Sequence, residues 1–179
     1  MELHTERLIL QSISLDHAEA LYSYRSDAET NKYQGWIPYG IEDCYHFIKN
    51  KVANELNVPH TWYQFVVILK ENSEIIGDIG IHFIDDEGQQ AEIGCTFAKD
   101  YHGNGYATEA VKKVISFLFN DLNKHRIIGS IDPQNQASEK MLHRLGFRKE
   151  AHFKESILLD GKWVDDVIYA ILQTEWITQ

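Results

Sequence analysis

One short segment restricts the fold of this chain more than any other: Tyr101–Ala107, which reads Tyr-His-Gly-Asn-Gly-Tyr-Ala. It lies between an apolar stretch typical of a buried strand, Ala91–Ala98, and an amphipathic stretch typical of a helix, Thr108–Leu122. Glycines let the backbone approach a ligand, and the first turn of a helix offers free N–H groups and a positive dipole end. The segment therefore predicts an anion site that suits a pyrophosphate, although two glycines also fit a plain turn.

This loop lacks the marks of two common phosphate-binding motifs. No Gly-Lys-Ser/Thr follows it, so it is not a P-loop. The third glycine and the later acidic residue of the dinucleotide fingerprint are also absent. The phosphate compound that the loop would hold must therefore be inferred from other residues.

A second polar group of residues follows the predicted strand Arg126–Ile131. Asn135 opens a predicted helix, Asn135–Leu145, and Ser138 falls near its third position. The two residues fit a helix-capping pair, worth about 1 kcal/mol and no function. They also fit an amide and a hydroxyl that face a ligand lying between two strands. Gly146-Phe147 fits a helix stop in which glycine adopts the left-handed conformation.

The rest of the chain alternates predicted strands and helices. The strands are Leu8–Ser12, Tyr63–Lys70, Ile75–Ile84, His152–Leu159 and Trp163–Leu172, the last two joined at the turn signal Asp160-Gly161. One helix begins with a capping box of Asp16 and Glu19, another runs from about Glu42 to Glu55, and the aromatic segment Asn31–Gly40 is irregular. The sum is an α+β fold in a single domain, residues 1–179. Its sheet is mixed and mostly antiparallel with helices on both faces, and the unit 91–131 is the parallel part.

Composition narrows the class of function. The net charge of −10 argues against nonspecific nucleic-acid binding and suits a cationic amine, although acidity also serves solubility alone. No apolar run approaches the roughly 18 residues of a membrane span, and the first residues do not form a signal peptide. The two cysteines, Cys44 and Cys95, are expected to be reduced thiols in a cytoplasmic protein. The nine histidines show no metal-ligand spacing, so no catalytic metal is expected.

Two blocks carry a family resemblance: Gly103–Ala110, and Asn135–Ser138 followed by Leu145-Gly146-Phe147. In this order and spacing they resemble the GNAT superfamily of N-acetyltransferases. Within it, the chain is similar to the branch of bacterial ribosomal-protein N-terminal acetyltransferases and related small-molecule acetyltransferases. The resemblance covers nearly the whole chain, from Thr5–Leu10 onward. One departure is His102, which stands where the family often has Gln or Arg.

The resemblance implies how acetyl-coenzyme A (acetyl-CoA) would be held. The strands Ala91–Ala98 and Arg126–Ile131 would splay apart in a V, with the pantetheine arm in the gap. The arm would pair with backbone near Thr96–Ala98, and the pyrophosphate would rest on backbone amides of the glycine loop. The cofactor-binding residues implied are Thr96, Phe97, Ala98, His102, Gly103, Asn104, Gly105, Tyr106, Ala107, Thr108, Asn135 and Ser138.

The resemblance also implies direct transfer of the acetyl group to a primary amine. Glu92 is the first candidate for the catalytic base, because a matching Glu acts as base in some family members; it also fits a solvated carboxylate on the outer face of a strand. Asp78 and His82 are weaker candidates. Ser138 is the candidate donor to the departing thiolate, and a strand N–H would stabilise the oxyanion. Cys95 has no evident His partner and is expected to be structural.

The acceptor amine is less constrained by the sequence. Tyr33, Trp36 and Tyr39 would wall an acceptor pocket, or else pack their segment onto the core. A protein N-terminal amine, an aminoglycoside, a polyamine and another small amine all fit the branch. A CoA-binding regulatory module without activity and a nucleotide-binding protein are the rival classes. The C-terminal hairpin is a candidate homodimer contact, by fold analogy.

Overall fold

The computed structural model describes residues 1–159 and 161–176, in which eight strands form one sheet in the order β1-β2-β3-β4-β5-β6-β8-β7. The strands are β1 Glu2–His4, β2 Leu8–Ser12, β3 Thr61–Leu69, β4 Glu74–Phe83, β5 Gln90–Phe97, β6 Arg126–Ile131, β7 Arg148–Leu159 and β8 Lys162–Leu172. The helices are α1 Ala18–Arg25, α2 Ile41–Asn50, α3 Tyr106–Asn120, α4 Gln136–Arg144 and the short α5 Gln173–Trp176.

The sheet is antiparallel except where β5 meets β6, which confirms the predicted mixed sheet and its parallel part. The parallel pairing is short and ends at the pair Glu92–Ile128. Both strands continue past this pair, β5 to Phe97 and β6 to Ile131. They therefore diverge and leave the predicted V-shaped opening between their carboxyl ends.

Helices cover both faces of the sheet, also as predicted. On one face α3 and α4 pack onto the large core, which includes Ile79 and Ile81 of β4. On the other face α1 and α2 form a second core around Leu21 and Cys44. Because side chains alternate along a strand, Asp78 of β4 points toward α1 while its neighbour Ile79 points toward α3.

Two helix boundaries differ from prediction at their amino ends. The Asp16–Glu19 capping box is wrong: the Ser14 N–H donates to His17 Nδ1 at 3.0 Å, closing a 3₁₀ turn at Leu15–His17 before α1. Helix α3 begins at Tyr106 rather than Thr108, because left-handed Gly105 occupies its N-cap. The helix thus starts two residues closer to the glycine loop.

Two further elements depart from the sequence pattern. Helix α2 ends at Asn50 rather than near Glu55, and Val52 instead forms a bridge to Trp62 of β3. Strand β1 was not predicted, because three residues carry too little pattern; it pairs only with β2 at the sheet edge. The strands Leu8–Ser12 and Arg126–Ile131 are confirmed to the residue.

The predicted stop after α4 is confirmed. Phe147 N donates to Leu142 O at 3.0 Å, and Gly146 N donates to His143 O at 3.1 Å. Gly146 has φ of 83°, a left-handed conformation that glycine adopts without steric cost. The stop turns the chain directly from α4 into β7.

The C-terminal hairpin pairs Leu159 with Lys162, as a two-residue connection requires. Asp160 of the predicted turn lies outside the described residues, as do residues 177–179 of the predicted domain. The hairpin exposes Phe153, Leu158 and Trp163, and its role in a homodimer stays a prediction. Within the described ranges, no helix has the length and apolar character needed to cross a membrane.

Candidate active site

The glycine loop presents an open backbone surface ahead of α3. Gly103 and Gly105 both have φ of 80°. The first backbone hydrogen bond of helix α3 is donated by Glu109 N to Gly105 O at 3.0 Å. The amides before it lie in the turn where helices leave N–H groups unpaired. A Cβ built on Gly103 would meet nothing within 4 Å. The loop therefore has room and donors for an anionic ligand.

Arg7 connects the glycine loop and the start of α3 to the amino-terminal part of the chain through hydrogen bonds. Its Nε donates to Glu109 Oε2 at 2.7 Å and its Nη1 donates to Asn104 O at 3.0 Å, while its guanidinium lies 4.5 Å from the centre of the Tyr106 ring. Thr5 Oγ1 donates to Glu109 Oε1 at 2.5 Å. Burial raises the pKa of Glu109, but the bonds from Thr5 and Arg7 outweigh it and hold the pKa below its ordinary value. Sequence reasoning missed this contact, which joins residues far apart in the chain.

His102 ties the loop to the end of β5. Its Nε2 lies 2.7 Å from Phe97 O, so this nitrogen donates to the strand carbonyl. Because Nε2 is used in this bond within the chain, it is not free to contact a ligand in the way that the Gln or Arg of the family motif would. Tyr106 and Ala107 pack partly against the core, and Thr108 Oγ1 accepts a bond of 3.4 Å from Arg144 of α4.

A cleft of about 90 Å³ lies between the diverging ends of β5 and β6, and we call it the interstrand cleft. Its lining includes Ile93, Gly94 and Cys95 on one side, and Gly129, Asn135 and Ser138 on the other. Asn135 Oδ1 accepts the Ser138 N–H at 3.2 Å, so Asn135 caps α4. This bond uses the backbone of Ser138, and its side chain lines the cleft.

The predicted pairing of Thr96–Ala98 with the pantetheine arm stays a prediction, and two backbone groups of this segment have partners within the chain. The Phe97 carbonyl accepts from His102, and Ala98 N donates to Ile76 O at 2.9 Å, so these backbone groups are already paired. The Thr96 side chain is buried, and its Oγ1 has no hydrogen-bond partner in the described part of the chain. The residues of β5 that face the cleft lie nearer its middle, at Ile93–Cys95.

A larger cavity of about 490 Å³ lies on the opposite side of β5, under α1 and α2, and we call it the aromatic cavity. The sheet contributes Trp62, Gln64 and Gly80 to its lining, and the helical side contributes Trp36 and Phe47. Those last two rings stack with centroids 4.8 Å apart. The cavity shares Gln34, Gly94 and Cys95 with the interstrand cleft, so the two spaces meet at the middle of β5.

The three aromatic residues predicted for an acceptor pocket have different positions. Trp36 lines the aromatic cavity, whereas Tyr33 lines the interstrand cleft. Tyr39 is 96% exposed and lines neither space, so the structure gives it no place in a pocket wall. Gln34, which sequence reasoning missed, donates from Nε2 to Cys95 O at 3.2 Å at the junction of the two spaces.

Glu92 lies on the same face of β5 as Gly94, two residues before it. Its Oε2 is 3.5 Å from Nδ1 of His82, the residue opposite it on β4, and both side chains are about three-quarters buried (25% and 27% exposed). His82 in turn stacks on Trp62, with centroids 4.7 Å apart. Glu92 is therefore partly buried beside His82, and its role as the base stays a prediction.

Asp78, the weaker candidate base, is held in a buried cluster. Its carboxylate accepts from Tyr24 Oη at 2.8 Å, from Arg25 Nε at 3.0 Å and Nη2 at 2.5 Å, and from Gln64. Burial and the charge of Asp78 raise the pKa of Tyr24. The cluster fixes α1 on the sheet beneath the aromatic cavity, and it leaves Asp78 poorly placed to accept a proton from a ligand.

The two thiols are poor nucleophiles. Burial raises the pKa of the Cys95 thiol to about 12 and that of Cys44 to about 11, so both stay protonated near neutral pH. Cys95 therefore lines both spaces as a neutral, apolar side chain. No group of His, Cys, Asp and Glu in the described residues has the arrangement of a metal site.

Known proteins match this chain along most of its length. Residues 7–148 match the acetyltransferase (GNAT) domain family. The chain is 34% identical to the uncharacterized N-acetyltransferase p20 of Bacillus licheniformis over 97% of both chains, and 26% identical to the ribosomal protein uS5-alanine N-acetyltransferase of Escherichia coli, over 98% of this chain and 93% of that one. A GNAT-family acetyltransferase from Bacillus anthracis has a similar structure, with TM-score 0.86, 30% identity and coverage of 98% and 100%.

Proposed function

Because the chain belongs to the GNAT family of acetyltransferases and is an acetyl-CoA-dependent N-acetyltransferase, we propose that it transfers the acetyl group directly to a primary amine. The observation that carries this proposal is the junction at Gly94 and Cys95, where the interstrand cleft meets the aromatic cavity. A thioester lying in the cleft and an amine lying in the cavity would approach each other there. Direct attack needs such a meeting point, since both substrates must be bound together.

The glycine loop and the interstrand cleft fit acetyl-CoA. The pyrophosphate would be held by backbone amides of Gly103–Thr108 at the positive end of α3, with no side-chain cation needed. The pantetheine arm would lie in the cleft against Ile93–Cys95, with Asn135 opposite. His102 would act on the loop conformation through its bond to Phe97 rather than on the phosphate itself.

Glu92 is the proposed catalytic base. The ammonium form of the amine must lose a proton before its nitrogen bonds to the acetyl carbon, and Glu92 accepts that proton directly or through water. The carbon–sulfur bond then breaks, and coenzyme A leaves with the electron pair. Glu92 Oε2 lies 3.5 Å from Nδ1 of His82, and the His82 ring stacks on Trp62, so these two rings would connect Glu92 to the aromatic cavity.

Ser138 and the backbone of β5 complete the proposed chemistry. The Ser138 hydroxyl, left unused by the capping bond, would donate to the departing thiolate. A backbone N–H of β5 beyond Glu92, where pairing with β6 has ended, would donate to the oxyanion. Cys95 does not carry the acetyl group, because its buried thiol is protonated. The acetyl group would therefore pass to the amine without an acyl-enzyme intermediate.

A ligand series tests this function. Acetyl-CoA and coenzyme A should raise the melting temperature of the protein, because each binds the folded state, while ATP and NAD should raise it little. With acetyl-CoA present, release of free thiol should then depend on an added primary amine. Absence of a thermal shift with acetyl-CoA, or thiol release that no amine increases, would refute the proposal.

A further inference from the structure

We infer that the acceptor is a small amine with a single positive charge and an aromatic body, an arylalkylamine, held in the aromatic cavity. The inference rests on the proposed function and names its substrate class. A cavity of about 490 Å³ has the size of a small-molecule site. Polyamines and protein N-termini, which also carry primary amines, are the alternatives that it must be judged against.

The aromatic rings supply the first argument. Trp36 and Phe47 stack face to face on the helical side of the cavity, and Trp62 lies on the sheet side, where it stacks on His82 with an interplanar angle of 7°. The exposed ring faces are apolar and favour burial of an aromatic group. Gly80 of β4 lies against the Trp62 ring, whereas a Cβ built on Gly94, opposite it on β5, would meet nothing within 4 Å, so the open space is at Gly94.

The charges of the lining supply the second argument. Among the described lining residues, Asp43 alone carries a carboxylate, and its Oδ2 accepts the N–H groups of Tyr39 at 2.8 Å and Gly40 at 3.2 Å to cap α2. Lys51 also lines the cavity, and Arg25 does so with its charge balanced by Asp78. Lys51 offsets the charge of Asp43, so the lining offers no net negative charge to a second or third ammonium group on a ligand.

The position of the base fixes which end of the ligand faces β5. Glu92 and Gly94 lie on the same face of β5, and Gly94 borders both the cavity and the interstrand cleft. The amine of the acceptor would therefore lie at Gly94, and its apolar body would extend toward Trp36 and Phe47. A polyamine held with one amine at Gly94 would have to place its other charges among the rings.

Steady-state kinetics with acetyl-CoA and four acceptors tests the inference. The acceptors are 2-phenylethylamine, ethylamine, spermidine and a short peptide with a free N-terminus. We expect kcat/KM for 2-phenylethylamine to exceed that for ethylamine by roughly 100-fold, because the ring is buried in the cavity. Spermidine should be a poorer acceptor than ethylamine.

A charge reversal provides the matched test. Lys51→Glu should raise kcat/KM for spermidine by about tenfold at low ionic strength, because it replaces repulsion with attraction at the cavity. Lys49→Glu changes an exposed lysine in the last turn of α2, two residues before Lys51 and outside the cavity lining, and should leave kcat/KM for spermidine unchanged. The melting temperature of each variant checks that folding is intact.

The possible outcomes distinguish the proposed substrate class from the proposed acetyltransferase function. Highest kcat/KM with spermidine or the peptide, or equal values for 2-phenylethylamine and ethylamine, would overturn the substrate class and leave the acetyltransferase function standing. Equal effects of Lys51→Glu and Lys49→Glu would overturn the role given to the lining charge. Acetylation of none of the four amines by protein that still binds acetyl-CoA would overturn both claims.

Discussion

Glu92 of β5 and His82 of β4 face each other as a cross-strand pair, with Oε2 and Nδ1 3.5 Å apart. The contact extends to the aromatic cavity, because His82 stacks on Trp62, which lines it. The Glu92 carboxylate itself is only 25% exposed to water. The pair therefore connects the proposed base to the proposed acceptor site.

Replacement of Glu92 should separate catalysis from binding. Glu92→Gln should lower kcat by roughly 100-fold, because the amide cannot accept the amine proton, while the affinity for acetyl-CoA stays near normal. Thiol release and a binding titration measure the two quantities. Glu87→Gln, an exposed residue in the β4–β5 turn, is the control. Full activity of Glu92→Gln across pH would show that Glu92 is not the base.

Ser138 and Asn135 should have separable roles. Ser138→Ala should lower kcat by roughly tenfold with little change in stability, because the capping bond uses its backbone N–H. Asn135→Ala should cost about 1 kcal/mol of unfolding free energy, because α4 loses its cap. Urea denaturation and steady-state kinetics distinguish the two effects. Normal turnover by Ser138→Ala would remove the hydroxyl from the mechanism.

Substitution in the glycine loop should abolish binding of acetyl-CoA. Gly105→Glu places a carboxylate at the proposed pyrophosphate site and strains a backbone with φ of 80°. Gly161→Glu is the matched control, because Gly161 has φ of 76° and lies in the distant hairpin turn. Both variants should lose similar stability, but only Gly105→Glu should lose the thermal shift with acetyl-CoA. An equal shift in the two variants would place the pyrophosphate elsewhere.

The contact between Arg7 and Glu109 predicts a pH dependence of stability. Because the folded pKa of Glu109 is lowered, its ionised form stabilises the fold above the ordinary value of 4.5, and this contribution is lost as pH falls through the folded pKa. Glu109→Gln should cost roughly 1 kcal/mol at neutral pH, allowing for the exposure of Arg7, and less in acid.

Urea denaturation at several pH values measures this difference. The exposed Glu71→Gln provides a control whose unfolding free energy should follow that of the original protein. A gap between Glu109→Gln and the original protein that stays constant from neutral pH into acid would contradict the assignment.

Local pattern predicted most of the fold. The strand Arg126–Ile131 and the stop at Gly146 follow from short apolar runs and a glycine placed after a helical repeat, both of which are local features. The capping box failed because Ser14 and His17 offer a competing cap two residues earlier. Both caps fit the local sequence, and the hydrogen bond between Ser14 and His17 is the one that forms in the folded chain.

The site was less accessible to prediction because its parts are distant in sequence. The bond between Arg7 and Glu109 joins residues 102 positions apart, and no periodicity marks it. Trp36 and Tyr39 belong to one aromatic segment, yet Trp36 lines the cavity and Tyr39 projects into solvent. The lining contributed by Gln34 depends on how α1 and α2 sit on the sheet, which the sequence pattern does not specify.

The central claim is that the two substrates meet at Gly94 from opposite sides of β5, and steady-state kinetics of Gly94→Val tests it most directly. A Cβ at Gly94 meets nothing within 4 Å, so the valine side chain should enter the aromatic cavity without disturbing the fold. We predict that kcat/KM for 2-phenylethylamine falls by roughly 100-fold while KM for acetyl-CoA changes by less than about twofold. Unchanged use of the amine would contradict the account.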